Sequence, residues 1–253
     1  MKTSLHFGLN SVNPQKYGGW NGRLMACQAD ANALATLFSQ RGYRPTEVLL
    51  DTQCTQDRFR TAFQLAASSA VAGDDFVFSY SGHGGQIACD TEADGYDETL
   101  CLWDGEIRDD EIRLMLAKFR AGVRVAMIVD SCHSGGMQRS RVARVGGPLA
   151  PRSKAMPSTV AGLILNRPKA LNTPAPRVAA GVVLLSACAE AETASDGDRY
   201  GAFTECLLDS ITPAPATWAS WARSAKNFCA ARHPAQHPQL LTFGTKIQNC
   251  PAL

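Results

Sequence analysis

No run of eighteen uninterrupted apolar residues occurs in this 253-residue chain, so no segment reads as a membrane-spanning helix. The opening MKTSLHFGLNS carries one lysine and no apolar core of the length that a secretory signal needs. None of the nine cysteines forms a C-x-x-C pair, which removes the simplest zinc and redox motifs. An odd number of scattered thiols, in a chain large enough to hold its own core, points to reduced cysteines and a cytoplasmic location. An excess of either charge is also missing: 25 basic against 23 acidic side chains leave a formal net charge of +2. The chain as a whole lacks the charge excess that marks a polyanion binder, and neither a nucleic acid nor a membrane is expected as a partner. Acid is absent locally as well. From Ser131 to Ala189 there is no Asp or Glu, while Arg139, Arg141, Arg144, Arg152, Lys154, Arg167, Lys169 and Arg177 supply charge and six of the 13 prolines interrupt the segment. Residues 138–178 are predicted to form a long, mobile, basic and proline-rich loop.

What remains has the pattern of an α/β protein. The runs at 4–10, 47–50, 75–81, 99–103, 123–130 and 181–187 are rich in Val, Ile, Leu and Phe, and several are apolar on both faces, as strands buried on both sides of a sheet must be. Helical spacing is found at 27–42, ending on a glycine, at 55–73 with Thr55 as a cap, and at 109–119, which opens on acids. The alternation predicts one domain spanning the chain, built on a mostly parallel sheet with helices on both faces. A monomer is expected. The tail at 218–244 predicts a helix and a terminal strand, with Trp218 and Trp221 buried and with His233 and His237 on a turn beside prolines.

In such sheets reactive groups collect at the carboxyl ends of the strands. Two glycine-rich motifs stand there: YSGHGG at 80–85 and DSCHSGG at 130–136. His83 and Cys132 are the chemically able members, since an imidazole can take the proton that a thiol must lose before it attacks a carbonyl. The backbone N–H groups of Gly84 and Cys132 are the natural donors to a developing oxyanion. His133 is a rival base, but side chains adjacent on a turn diverge. A zinc site from Cys89, Cys132, His83 and His133 lacks ligand spacing.

These motifs, with GLNSV and LMACQADANALA before them, DGYDETLCLWDG and IRDDEI between them, and LLSACAEAETASDGDRYGAFTECLL after them, resemble the metacaspases, in particular the short bacterial forms called orthocaspases. The resemblance runs from about residue 4 to residue 211. It implies a caspase-like fold and an endopeptidase in which His83 assists Cys132, with proteins or peptides cut after Arg or Lys and no cofactor needed for the chemistry. It also implies a specificity pocket from Cys27, Asp30, Ser81 and Asp130, and two carboxylates there would suit a guanidinium or ammonium on charge alone. The same resemblance places possible calcium ligands at Asp97, Asp110 and Glu111, although Arg139 stands where the family has a further acid. A protease with that preference and a basic loop just after its nucleophile has cleavage sites within itself, so self-processing is expected between about 138 and 178. The alternatives are a catalytically idle caspase-like adaptor and, from the charges of the loop, a nucleic-acid binder.

Overall fold

The computed structural model describes residues 1–89, 95–132, 152–164, 176–189, 192–211 and 217–252. Its main sheet holds β1 (Lys2–Gly8), β2 (Thr46–Leu50), β3 (Asp75–Ser81), β7 (Arg124–Asp130), β9 (Gly181–Ser186) and β11 (Gln239–Gly244) in the order β11-β9-β7-β3-β1-β2. All neighbours are parallel except the edge strand β11, which runs antiparallel to β9. A separate three-stranded antiparallel sheet consists of β4 (Gly84–Ala88), β5 (Tyr96–Leu102) and β6 (Gly105–Arg108). The run at 99–103 therefore belongs to this second sheet, and its two short partners carried no apolar pattern to announce them.

Side-chain alternation sorts the central strands into two cores. Phe76, Phe78, Val125, Met127 and Val182 face α2 (Gln56–Ser69) and α3 (Asp109–Leu116), whose Phe59, Phe63, Ile112 and Met115 cover that side. Val77, Ala126, Ile128, Val183 and Leu185 face α1 (Cys27–Gln40), α5 (Ala202–Asp209) and α6 (Trp218–Arg232). Each layer buries one face of the sheet, which is why both faces of these strands had to be apolar. Thr55 caps α2 by accepting from the Arg58 N–H at 3.2 Å. Trp218 and Trp221 are buried, and the Trp221 indole donates to the Leu207 carbonyl at 3.0 Å. Two features bear on the site. Gly8 lets α1 sit directly on β1, since a methyl group there would come within 2.4 Å of the Cys27 carbonyl oxygen. The expected loop is not structureless throughout, because β8 (Arg152–Ser153) pairs antiparallel with β10 (Ser195–Asp196) and α4 (Ser158–Ala161) follows. The rest of the loop, at 138–151 and 165–175, lies outside the described residues.

His6 sits in β1 with its Nδ1 on the Ser79 hydroxyl at 2.7 Å, and burial lowers its pKa from 6.5 to about 3. The unfolded chain takes up a proton near pH 6.5 that the folded chain refuses until about pH 3, so this contribution to stability is complete above 6.5 and shrinks as pH falls. Between pH 7 and pH 5 the loss should be about 2 kcal/mol from this one group. Urea unfolding of the wild type and of His6→Gln at both pH values measures it, and the variant's pH dependence should be weaker by that amount.

Candidate active site

The register of the parallel sheet builds the site. Ser81 pairs with Asp130 at the ends of β3 and β7, and His83 and Cys132 each follow two residues later. Neighbouring strands are about 4.8 Å apart, so the two reactive side chains leave the sheet from adjacent ends. Both are buried. The His83 Nε2 lies 2.9 Å from the Gly22 carbonyl oxygen. A carbonyl can only accept, so Nε2 holds the proton and Nδ1 keeps its lone pair; Nδ1 has no hydrogen-bond partner among the described residues. Burial lowers the imidazole pKa from 6.5 to about 4, against the opposing pull of the Gly22 carbonyl, so the ring is neutral at neutral pH. The Cys132 thiol donates to the main-chain carbonyl of Glu192 at 2.6 Å, and Cys188 donates to the same oxygen at 3.6 Å.

Asp30 and Asp130, 100 residues apart in sequence, flank one buried cation that belongs to the chain itself. The Lys154 ammonium is 3.2 Å from Asp30 Oδ2, 3.1 Å from Asp130 Oδ1 and 2.9 Å from the Ser81 hydroxyl, with all of these groups removed from solvent. Ser81 donates to Asp30 at 2.7 Å and also hydrogen-bonds the Cys27 thiol. The carboxylates are held from behind, Asp30 by the Gly201 N–H at 2.8 Å and Asp130 by the Thr204 N–H and hydroxyl at 3.1 and 2.8 Å. Any side chain at position 201 would fill the pocket, since a methyl group would stand 2.3 Å from the Lys154 Nζ. Burial opposes the Lys154 charge, but Asp130, Cys27 and Asp30 outweigh it and raise the pKa above the ordinary lysine range. Asp30 is pushed up to about 6 by burial, with Lys154 pulling down and Asp130 pushing up. The structure thus brings Cys27, Asp30, Ser81 and Asp130 together around a cation.

The backbone of that lysine is seated as well as its side chain. Gly84 N–H donates to the Lys154 carbonyl at 2.9 Å, Lys154 N–H donates to the Ala194 carbonyl at 3.0 Å, and Met156 N–H donates to the Gly84 carbonyl at 2.7 Å. The peptide groups of Lys154 and Ala155 lie beside the His83 ring. Several of these groups gave no sequence signal. Gly22, Ala194 and Glu192 act through main-chain carbonyls, and any residue type has one. Lys154 read as a solvated charge among prolines, and Gly201 as one glycine of many. His237, assigned to a turn, is exposed but bonds the Glu192 carboxylate through its N–H at 2.9 Å and its Nδ1 at 2.5 Å, which ties it to the loop carrying the carbonyl on Cys132.

The three acids for which the resemblance implied calcium are not gathered. Asp97 is buried in an ion pair with Arg108. Glu111 is gripped by Arg60 at 2.5 and 3.2 Å. Asp110 stays half-buried in the first turn of α3. Among the described residues no three His, Cys, Asp or Glu side chains are placed to share a metal ion. With guanidinium groups already neutralising two of the three acids, these residues do not fit a calcium ion. His133, the rival base, lies outside the described residues.

A mostly parallel sheet flanked by helices, delivering a cysteine and a histidine from neighbouring strand ends, defines a caspase-like α/β fold. The chain belongs to the Caspase domain family, whose model matches residues 12–241. It is 38% identical over 134 residues to Metacaspase-1 of Mycosarcoma maydis, covering 47% of this chain and 33% of that protein. It is 34% identical over 151 residues to Metacaspase-1 of Schizosaccharomyces pombe, covering 53% and 34%. The chain spans about a third of the length of these curated relatives. Among solved structures it superposes on protein GSU0716 from Geobacter sulfurreducens with a TM-score of 0.83 and 34% identity, over 99% of this chain and 97% of that one. Caspase-1 from Spodoptera frugiperda shares the fold, with a TM-score of 0.61 at 10% identity over 97% and 88%.

Proposed function

We propose that this chain is a cysteine endopeptidase that cuts polypeptides after Lys or Arg, and that it first cuts itself after Lys154. The observation carrying this reading is the way residues 152–156 lie in the site. A lysine side chain fills the two-carboxylate pocket, its carbonyl oxygen rests on the Gly84 N–H, and the residues before it pair as a strand with β10. That is the posture of a bound substrate, with the Lys154–Ala155 peptide beside His83. In the reaction the Cys132 sulfur attacks the lysine carbonyl carbon and His83 Nδ1 takes the thiol proton. The Gly84 N–H receives the negative charge on oxygen. Collapse of the adduct leaves a thioester and frees the new amino terminus, which takes the proton from His83. Water, deprotonated by the same nitrogen, then releases the acid. The thiol, turned here onto the Glu192 carbonyl, must rotate towards Lys154 before it can attack, so this arrangement describes a latent enzyme covered by its own segment.

All nine cysteines are thiols outside any disulfide, which supports a reducing, cytoplasmic setting. Among the described residues no helix is long and apolar enough to cross a membrane. The experiment that tests the reading has two parts. Incubated wild-type chain should split after residue 154, as mass spectrometry of the fragments will report, and Lys154→Ala should remove that cut. Fluorogenic peptides with Arg or Lys before the scissile bond should be cleaved at least about 100-fold faster than the Asp counterpart, because an acid in this pocket would face two carboxylates. Equal rates for Asp, or an intact chain, would contradict the proposal.

A further inference from the structure

The segment in the site is gripped on both sides of the lysine, and the grip beyond it points to a second specificity. Gly84 brackets the Lys154–Ala155 peptide: its N–H holds the lysine carbonyl and its carbonyl accepts the Met156 N–H, in a parallel bridge centred on Ala155. This fixes the direction of the side chain two places after the cut. Met156 is 1% exposed although Arg152 and Ser153, on the other side of the lysine, are open to solvent. It packs in a cluster with Val12, Tyr17 and Cys101, and its sulfur lies 3.9 Å from the Cys101 thiol. Gly85 leaves the room that the methionine tip occupies, since a methyl group there would come within 2.7 Å of the Met156 Cε. These four residues come from parts of the chain outside the seated segment, so the hole remains when the segment leaves. Only the outer cover, Val160 with Ala161 and Ile164, travels with the segment.

We infer that the enzyme selects substrates for an unbranched or γ-branched apolar side chain, methionine or leucine, two residues after the cut, seated in the hole formed by Val12, Tyr17, Gly85 and Cys101. This inference rests on the proposed cleavage after Lys154. The substrate class is then an extended segment with a basic residue, one small residue and an apolar residue in succession. A carboxylate at the third place would be buried close to the Glu106 carboxylate, which stands with Thr99 at the same Gly85, and such a charge is strongly disfavoured there. An alanine would leave the hole empty, and differences of a few methylenes in an apolar pocket change kcat/KM by about 10-fold or more.

The test uses the full chain after incubation and internally quenched peptides identical except at that place, carrying Met, Leu, Ala or Asp after a constant Lys–Ala. Met and Leu should be cleaved at least about 10-fold faster than Ala, and Asp more slowly still. In the chain itself, Met156→Asp should slow self-cleavage after Lys154 by at least about 10-fold, while Met156→Leu keeps it within about 3-fold. Equal cleavage of all four peptides would overturn the inference and leave cleavage after lysine standing. Failure to cleave any of them would overturn the reading beneath it as well.

Discussion

Cys132→Ala is expected to abolish both peptide cleavage and self-cleavage, a loss of at least about 10⁴-fold in kcat, because in the proposed reaction the sulfur forms the covalent bond. The substitution trims a buried thiol from the end of a central strand and leaves the Glu192 carbonyl without that donor. Cys188 still reaches this oxygen at 3.6 Å, so the fold should survive. His83→Ala should cost less, about 10² to 10⁴-fold, the usual contribution of a positioned base. The imidazole is prepared for that role by two features on opposite sides of the ring. The Gly22 carbonyl accepts a hydrogen bond from Nε2–H, and burial keeps Nδ1 unprotonated by lowering the pKa to about 4. Initial rates, unfolding temperature and a gel of the incubated variants check the prediction together. A folded Cys132→Ala chain that still splits after residue 154 would assign the chemistry elsewhere.

Asp130→Asn should lower kcat/KM for lysine and arginine peptides by about 30- to 5,000-fold, the range found when one member of a buried charge pair is removed. In the structure the ammonium has an acceptor on every side: Asp30, Asp130 and Ser81. An amide at 130 keeps a group for Thr204 but withdraws one of the two negative charges, and the cation has no water to turn to. Asp30→Asn should act in the same direction, and it adds a pH signature. Burial and the Asp130 charge raise the Asp30 pKa to about 6 while the lysine holds it down. Protonation of Asp30 removes attraction for the cation, and in the empty pocket no lysine charge opposes that protonation, so kcat/KM towards basic peptides should fall as pH drops through the weakly acidic range and recover above it. A profile measured from pH 5 to 8 should show this acid limb in the wild type and lose it in Asp30→Asn, leaving the low, flat rate of a pocket with one carboxylate.

Much of this architecture was legible along the chain. The strands at 75–81 and 123–130 and the helices at 27–42 and 55–73 could be read because burial on two faces demands apolar runs and amphipathic periods of a recognisable length. The strands of the second sheet were harder, since Gly84–Ala88 and Gly105–Arg108 are short and half polar, and they owe their form to pairing with β5. The calcium reading failed to find support for a similar reason. Asp97 and Glu111 looked like open carboxylates until Arg108 and Arg60, both distant or mismatched in local pattern, turned out to hold them.

The thiol and the imidazole could be named from local motifs, because glycines and strand ends surround each within a few positions, and the four pocket residues followed from the family resemblance. The occupant of the pocket could not. Lys154 lies among prolines and basic residues whose natural reading is solvent, and its charge is buried only because Asp30, 124 residues earlier, and Asp130 stand within 3.2 Å of it. A buried cation is tolerable where carboxylates replace its water, and that replacement depends on distance through space, which no local pattern in a chain records.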